Sequence, residues 1–159
     1  MNLDAKKAIL RKLPHGVYIV GVKDGDRINA FTGTWFTQVS FTPPLVALGV
    51  KKDSHSYPMI TEGRVFTINL LGKQQKPVAE HFVKPAAPGT DKFAGMKYRL
   101  GVTGAPILEE ALGFIECQVR EIANAQGDHA IVIGEVVEAG MHTDGPALTL
   151  LDTGWHYGG

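Results

Sequence analysis

A mainly β fold, a β-barrel carrying a few short helices, is what this sequence predicts. Six or seven short runs rich in β-branched and aromatic residues follow one another at close spacing. The helical stretches between them are few and short. No G-x-G-x-x-G follows a strand, so a dinucleotide that binds here does not bind as in a doubly wound sheet. The 159 residues suffice for one domain around one hydrophobic core, and 1–159 is read as a single unit without repeats or low-complexity tracts.

In chain order, Leu3, Ile9, Leu10 and Leu13 sit at roughly helical spacing and predict a short amphipathic helix stopped by Pro14. Val17–Val22 is a strand, Asp24-Gly25-Asp26 a turn, and Ile28–Thr34 the returning strand of a hairpin. Leu45–Val50 is a continuous apolar run, expected to be buried on both faces, and Val65–Leu71 is another strand. Lys73–Phe82 reads as a helix in which Pro77 is tolerated near the first turn. Residues 84–95, with Pro85, Pro88 and Gly89, form an irregular excursion, and Tyr98–Val102 a short strand. Gly113–Ile122 alternates Ile115, Cys117 and Val119 with Glu116, Gln118 and Arg120, the pattern of a half-buried strand. A turn over 123–128 leads to the longest strand, His129–Ala139, which is apolar on both faces and needs a cover: barrel closure, a helix or a partner subunit.

Sixteen Lys plus Arg balance sixteen Asp plus Glu, so no long-range field draws the chain to nucleic acid or to an anionic membrane. Cys117 is the only cysteine, which excludes an internal disulfide and an all-cysteine metal site and fits a reducing, cytoplasmic compartment. No stretch approaches the apolar length of a membrane span, and the N-terminus lacks the apolar core of a signal peptide. The histidines share no i, i+4 pairing, so a metal centre has no support. Cys117, on the apolar face of its strand, reads as an inert buried thiol.

The most informative stretch runs from Asn29 to Ile60. Lys51, Lys52, Ser54, His55 and Ser56 follow an apolar strand and open a helix, where positive charge, hydroxyls and backbone N–H groups suit a phosphate. The same residues also read as two solvated lysines and a Ser54 cap on a helix beginning at His55, and both readings hold together. Upstream, Thr34, Trp35, Phe36, Thr37, Gln38, Val39 and Ser40 form an extended segment whose backbone matches the donor and acceptor edge of a flat polar ring; the bland reading is a strand edge entering a Pro-Pro turn. Phosphate at one end and a planar heterocycle at the other outline a flavin mononucleotide.

The sequence resembles the flavin reductase-like family of FMN-binding split barrels, from about His15 to the C-terminus. The resemblance is carried by Gly33-Thr34, Val39-Ser40-x-x-Pro43-Pro44-Leu45-Val46, the Lys/Ser cluster at 51–56, Phe66-Thr67-Ile68-Asn69-Leu70-Leu71, the Gln75–Phe82 helix, Glu116-Cys117 and Gly127-Asp128-His129. It implies a six-stranded Greek-key split barrel, a homodimer with flavin near its interface, and hydride transfer from NADH or NADPH to FMN, with FAD possible. It assigns flavin contacts to residues 34–40, Gly49, Lys51, Ser54, His55 and Ser56. It places His129 over the flavin face as the catalytic, nicotinamide-side residue, oriented by Asp128; otherwise His129 is simply the first residue of a long strand. Asn69 and Phe82 touch the ligands in such folds, or are structural and core. Trp35-Phe36 departs from the small or hydroxyl residues expected after Gly-Thr, and a tryptophan there covers the ring and narrows nicotinamide access.

The implied activity is NAD(P)H:flavin oxidoreduction, with reduced flavin passed to a monooxygenase or a redox protein. The alternative is a non-catalytic flavin- or haem-binding module, or a flavoredoxin-like electron carrier. A pyridoxamine-phosphate oxidase relative is disfavoured because the arginines are scattered. The aromatic tail, with Trp155 and Tyr157, is expected to dock on the barrel or the second subunit, or to close the core.

Overall fold

The computed structural model describes residues 1–85, 90–123 and 126–159. Pro88 and Gly89 of the expected excursion, and 124–125 of the expected turn, lie outside the described residues. The elements are α1 (Leu3–Leu10), β1 (Tyr18–Asp24), β2 (Arg27–Gly33), β3 (Phe36–Ser40), β4 (Leu45–Lys51), α2 (Ser56–Gly63), β5 (Val65–Leu70), α3 (Lys76–Val83), β6 (Tyr98–Leu100), β7 (Pro106–Leu108), β8 (Gly113–Ala123), β9 (His129–Met141) and α4 (Leu150–Thr153). Strands account for 43% of residues and helices for 18%, so the mainly β class holds.

Among the described residues seven strands, rather than the six implied by the family resemblance, form one antiparallel sheet in the order β2-β1-β5-β8-β9-β4-β3, and β6-β7 is a separate hairpin. The sheet curls until its two ends face each other through side chains. Tyr18 of β1 meets Phe36 of β3 edge to face at 5.2 Å, and the Leu48 side chain of β4 reaches Gly33 at the end of β2. Period-two alternation then sorts β1 between two cores. Val20 and Val22 point inward to Val46, Leu48, Phe66, Ile68 and Val132. Ile19 points outward to Phe82, Phe93, Leu108 and Leu148, contributed by α3 and the later chain.

The outer core is pinned by buried polar groups of β5. Thr67 Oγ1 donates to the Pro106 carbonyl at 2.6 Å; Asn69 Nδ2 donates to the Ile19 carbonyl at 3.0 Å, and its Oδ1 accepts from Leu108 N–H at 2.7 Å. Asn69 is thus fully engaged in holding β7 across the sheet, and Phe82 is core. Gly21 lets this layer approach, because a Cβ there would stand 2.5 Å from the Pro106 carbonyl oxygen.

Three expectations need correction. β4 is not buried on both faces: its inward Val46, Leu48 and Val50 are buried, whereas Leu45, Ala47 and Gly49 are half-buried, because its outer face is only partly covered. β8 is not simply half-buried, since Glu116 on its polar face is 1% exposed. That carboxylate accepts from Val102 N–H, Thr103 N–H and Thr103 Oγ1–H at 2.9, 2.9 and 2.6 Å, so burial follows from saturated hydrogen bonding rather than from apolarity. The predicted helix at 55 begins one residue later, at Ser56. β9 keeps Ile131 and Val137 largely exposed on its second face. Helix α1 forms as expected but buries none of its residues. Among the described residues no helix is long and apolar enough to cross a membrane.

Candidate functional site

Thr34 and Trp35 link β2 to β3, opposite the C-terminal end of β4. The link is held by Gly49 N–H, which donates to the Trp35 carbonyl at 2.8 Å. Trp35 lies directly on Gly49, where an added Cβ would come within 3.1 Å of the Trp35 Cβ. Glycine at this position therefore lets the indole close down on the strand.

These residues border a cavity of about 930 Å³. Its strand side presents Thr32, Thr34, Trp35 and Gly49, with Lys51 at the end of β4 and Ser54 just beyond it; α3 contributes Glu80 and His81, with Lys84 just past its end; the tail contributes Trp155, His156 and Tyr157. The volume lies within the ordinary range for small-molecule and cofactor pockets, roughly 300–1,000 Å³. Thr34 is 8% exposed, and its Oγ1 is buried without a hydrogen-bond partner among the described residues. A buried hydroxyl without a partner is destabilising unless a ligand satisfies it.

The cationic end holds Lys51, whose Nζ is 3.0 Å from Asp53 Oδ2. The hydrogen bond and charge of Asp53 hold the Lys51 ammonium above its ordinary pKa. Ser54 Oγ accepts from Tyr57 N–H at 3.2 Å, so it serves the first turn of α2 as well as lining the cavity. Ser56 turns inward, buried, with Asn29 Nδ2 donating to its Oγ at 3.4 Å. His55 is exposed ahead of α2.

On the tail side, an aromatic cluster closes the cavity. The Trp35 ring is centred 4.6 Å from the His129 ring and 5.2 Å from Tyr157. His129 Nδ1 stands 2.8 Å from Asp128 Oδ1 and its Nε2 is 2.7 Å from the Tyr157 hydroxyl. A carboxylate only accepts, so Nδ1 carries a proton; in the neutral imidazole Nε2 then accepts from Tyr157 O–H. The His129 hydrogen bond and charge hold the Asp128 carboxyl below its usual range, and burial raises the Tyr157 phenol.

The expected flavin segment is divided between two places. Thr34 and Trp35 face this cavity, whereas Phe36, Gln38 and Ser40 face a second one of about 540 Å³ at the open end of the barrel, and Thr37 and Val39 are exposed. Strand alternation is the reason, because seven consecutive extended residues cannot all turn one way. Glu80, His81 and Lys84 were not foreseen; α3 was legible as a helix, but its neighbour across the sheet was not. Cys117 is fully buried, and burial, then Glu116, pushes its thiol up to about 12, which makes it inert at neutral pH.

A curled, split antiparallel barrel with a cationic, hydroxyl-lined cavity beside its edge strand defines a flavoprotein of the oxidoreductase class. Residues 10–159 match the model of the flavin reductase like domain, and the chain belongs to that family. It is 38% identical over 154 residues to a flavin reductase of Pseudomonas putida, covering 96% of this chain and 87% of that protein. The structure of the NADH:FAD oxidoreductase SgcE6 of Streptomyces globisporus superposes with a TM-score of 0.79 at 32% identity, over 87% of this chain and 82% of that one. BorF, the flavin reductase component of a bacterial two-component tryptophan halogenase, gives 0.82 at 30% identity, over 94% of both chains. Other curated relatives, diflavin flavoproteins from Nostoc and Synechocystis among them, are longer, and the chain spans between 23% and 62% of their length.

Proposed function

We propose that this chain is an NAD(P)H-dependent flavin reductase that binds FMN, or alternatively FAD, and works as a cytoplasmic homodimer. A flavin held in this site would supply the hydride-acceptor chemistry, with the nicotinamide as donor. The single observation that carries the reading is the buried, unpartnered Thr34 hydroxyl lining a large cavity that also presents a lysine and a serine.

The chain's own residues bind, orient and exclude water. Lys51 and Ser54, with the start of α2, hold the phosphate end, and Thr34 and the neighbouring backbone hold the ring. Phe36 to Ser40, with His55 and Ser56, support that segment rather than all touching the ligand. His129, fixed between Asp128 and Tyr157, would border the nicotinamide and help to orient it, and holding donor and acceptor together in this way lowers the entropic barrier to transfer. The relatives that are components of two-component systems support a flavin-dependent monooxygenase or halogenase as the acceptor of reduced flavin.

The Trp35–His129–Tyr157 contacts favour a second reading, an electron-carrier module, because they close the face a nicotinamide must reach. The longer relatives support it as well. An absorbance spectrum of the purified protein with added FMN, followed by anaerobic NADH and then NADPH, separates the two. Bleaching of the flavin bands supports the reductase and identifies its donor. Bound flavin that stays oxidised favours the carrier, and a protein that binds neither FMN nor FAD defeats both.

A further inference from the structure

We propose that Asp53 sets which flavin this site prefers: its carboxylate competes with the flavin phosphate for Lys51, and it weakens FMN, which ends in that phosphate, more than FAD. The inference rests on the reading above that Lys51 and Ser54 hold the phosphate end, and it adds a residue that opposes them. Lys51 closes β4, where it pairs with His129 across the sheet, and Ser54 N–H donates to the Lys51 carbonyl at 3.1 Å. The chain between them turns back on itself, and Lys51 Nζ meets Asp53 Oδ2 at 3.0 Å. Lys51 and Ser54 line the cavity; Asp53 is not among the described residues that line it.

The ammonium that an incoming anion needs is therefore already engaged within the chain. Asp53 is the main group that holds Lys51 above its ordinary pKa, and the charge of Asp128 acts on the same ammonium. Lys51 and Lys52 thus share this corner with two carboxylates, and the corner offers a phosphate little net charge. The pair parts readily, because the Lys51 side chain is 50% exposed, that of Asp53 is 72% exposed, and ion pairs in water are weak. Once a phosphate takes the ammonium, the Asp53 carboxylate is left as a like charge beside it. That repulsion grows with the charge on the phosphate. The terminal phosphate of FMN, a monoester, carries about −1.5 to −2 at neutral pH, whereas each phosphate of FAD is esterified on both sides and keeps about one charge. Asp53 therefore opposes FMN more than FAD, and riboflavin, which has no phosphate, not at all.

Isothermal titration calorimetry of the full chain with riboflavin, FMN and FAD tests this, in wild type, Asp53→Asn, Lys51→Gln and the double variant. Thermal melts confirm that each variant is folded. In Asp53→Asn, FMN should bind about threefold to fivefold tighter, the scale of one exposed charge pair, FAD tighter by a smaller factor, and riboflavin as in wild type. Raising the salt to about 0.5 M should shrink the FMN gain. Lys51→Gln should weaken FMN and spare riboflavin. In the double variant the gain from Asp53→Asn should shrink, because competition requires the cation. If Asp53→Asn binds FMN no tighter, or tightens riboflavin or FAD equally, while Lys51→Gln still loses FMN, the proposal is overturned and the phosphate reading stands. A gain that is undiminished in the double variant also overturns it, since the carboxylate then acts without Lys51. If neither variant changes FMN relative to riboflavin, the phosphate end lies elsewhere and both readings fail.

Discussion

The Tyr157 hydroxyl lies 2.7 Å from Nε2 of His129, twenty-eight residues earlier in the chain, while Asp128 holds Nδ1 of the same ring at 2.8 Å. The imidazole is gripped at both nitrogens, one grip coming from its own turn and the other from the tail. Tyr157→Phe keeps the ring and its packing on Trp35 but removes the second grip. Losing one neutral hydrogen bond, about 1 kcal/mol, predicts roughly a fivefold fall in kcat/KM for NAD(P)H. Flavin affinity should be unchanged in a fluorescence titration. His129→Ala should slow NAD(P)H oxidation further, again with flavin bound. If either variant instead loses flavin and turns over normally per bound flavin, His129 has no nicotinamide role.

Thr34→Val separates ligand binding from folding. The hydroxyl has no partner among the described residues, so an isosteric methyl should leave the melting temperature unchanged or raise it slightly. Flavin binding should weaken by about 1 kcal/mol, near fivefold, if that hydroxyl meets the ring. A variant that melts lower and binds flavin normally would mean the hydroxyl is satisfied within the protein.

Ser54 and Ser56 face opposite ways, and single substitutions should divide accordingly. Ser54 lines the cavity, so Ser54→Ala should weaken flavin binding measurably. Ser56 is buried against Asn29, so Ser56→Ala should lower stability by about 1 kcal/mol with little effect on flavin. Paired titration and thermal melts of both variants check this; equal flavin loss in the two would return Ser56 to the phosphate site.

Most of the strand order in sequence was legible because period-two alternation and turn residues mark strands locally. The Lys51–Ser54 corner was not set apart by its residue types, since a serine cap and solvated lysines explain them equally well. Its order after an apolar strand and the family pattern singled it out, and the structure shows Ser54 both capping the first turn of α2 and lining the cavity. What stayed hidden depends on pairs far apart in the chain. Nothing local in Glu116 signals that Val102 and Thr103 will bury it, and nothing in His81 or Lys84 signals that α3 will face Trp35. The tail was legible as aromatic and docked, but the choice of His129 as the partner of Tyr157 is made only by the curl of the sheet.

Glu116→Gln tests one of those hidden contacts. The carboxylate takes three donors from the 102–103 turn, and an amide replaces an acceptor oxygen with a donor facing donors. Breaking a buried charge-assisted set of this kind should destabilise by roughly 3 kcal/mol. Chemical denaturation should show a lower midpoint, with flavin affinity of the folded fraction unaltered. A variant as stable as wild type would show that the turn is held by other contacts.

Acid should loosen the tail through Asp152. Its carboxyl forms a reciprocal cap with Thr149 at the start of α4 and pairs with Lys73 Nζ at 3.0 Å. The Thr149 hydrogen bonds, then Lys73, hold it down at about 2. A depressed folded value means that the stabilisation is present above the unfolded carboxyl pKa, about 3.9, and is lost as pH falls through the folded one. Docking of Trp155 and Tyr157 should therefore be insensitive to this group from pH 5 to 8 and weaken progressively from about pH 4 toward 2. Asp152→Asn removes the charge at every pH, so it should melt below wild type at pH 7, and the two melting curves should converge as pH approaches about 2. Curves that stay equally separated from pH 7 to 2 would remove Asp152 from the account of how the tail is held over His129.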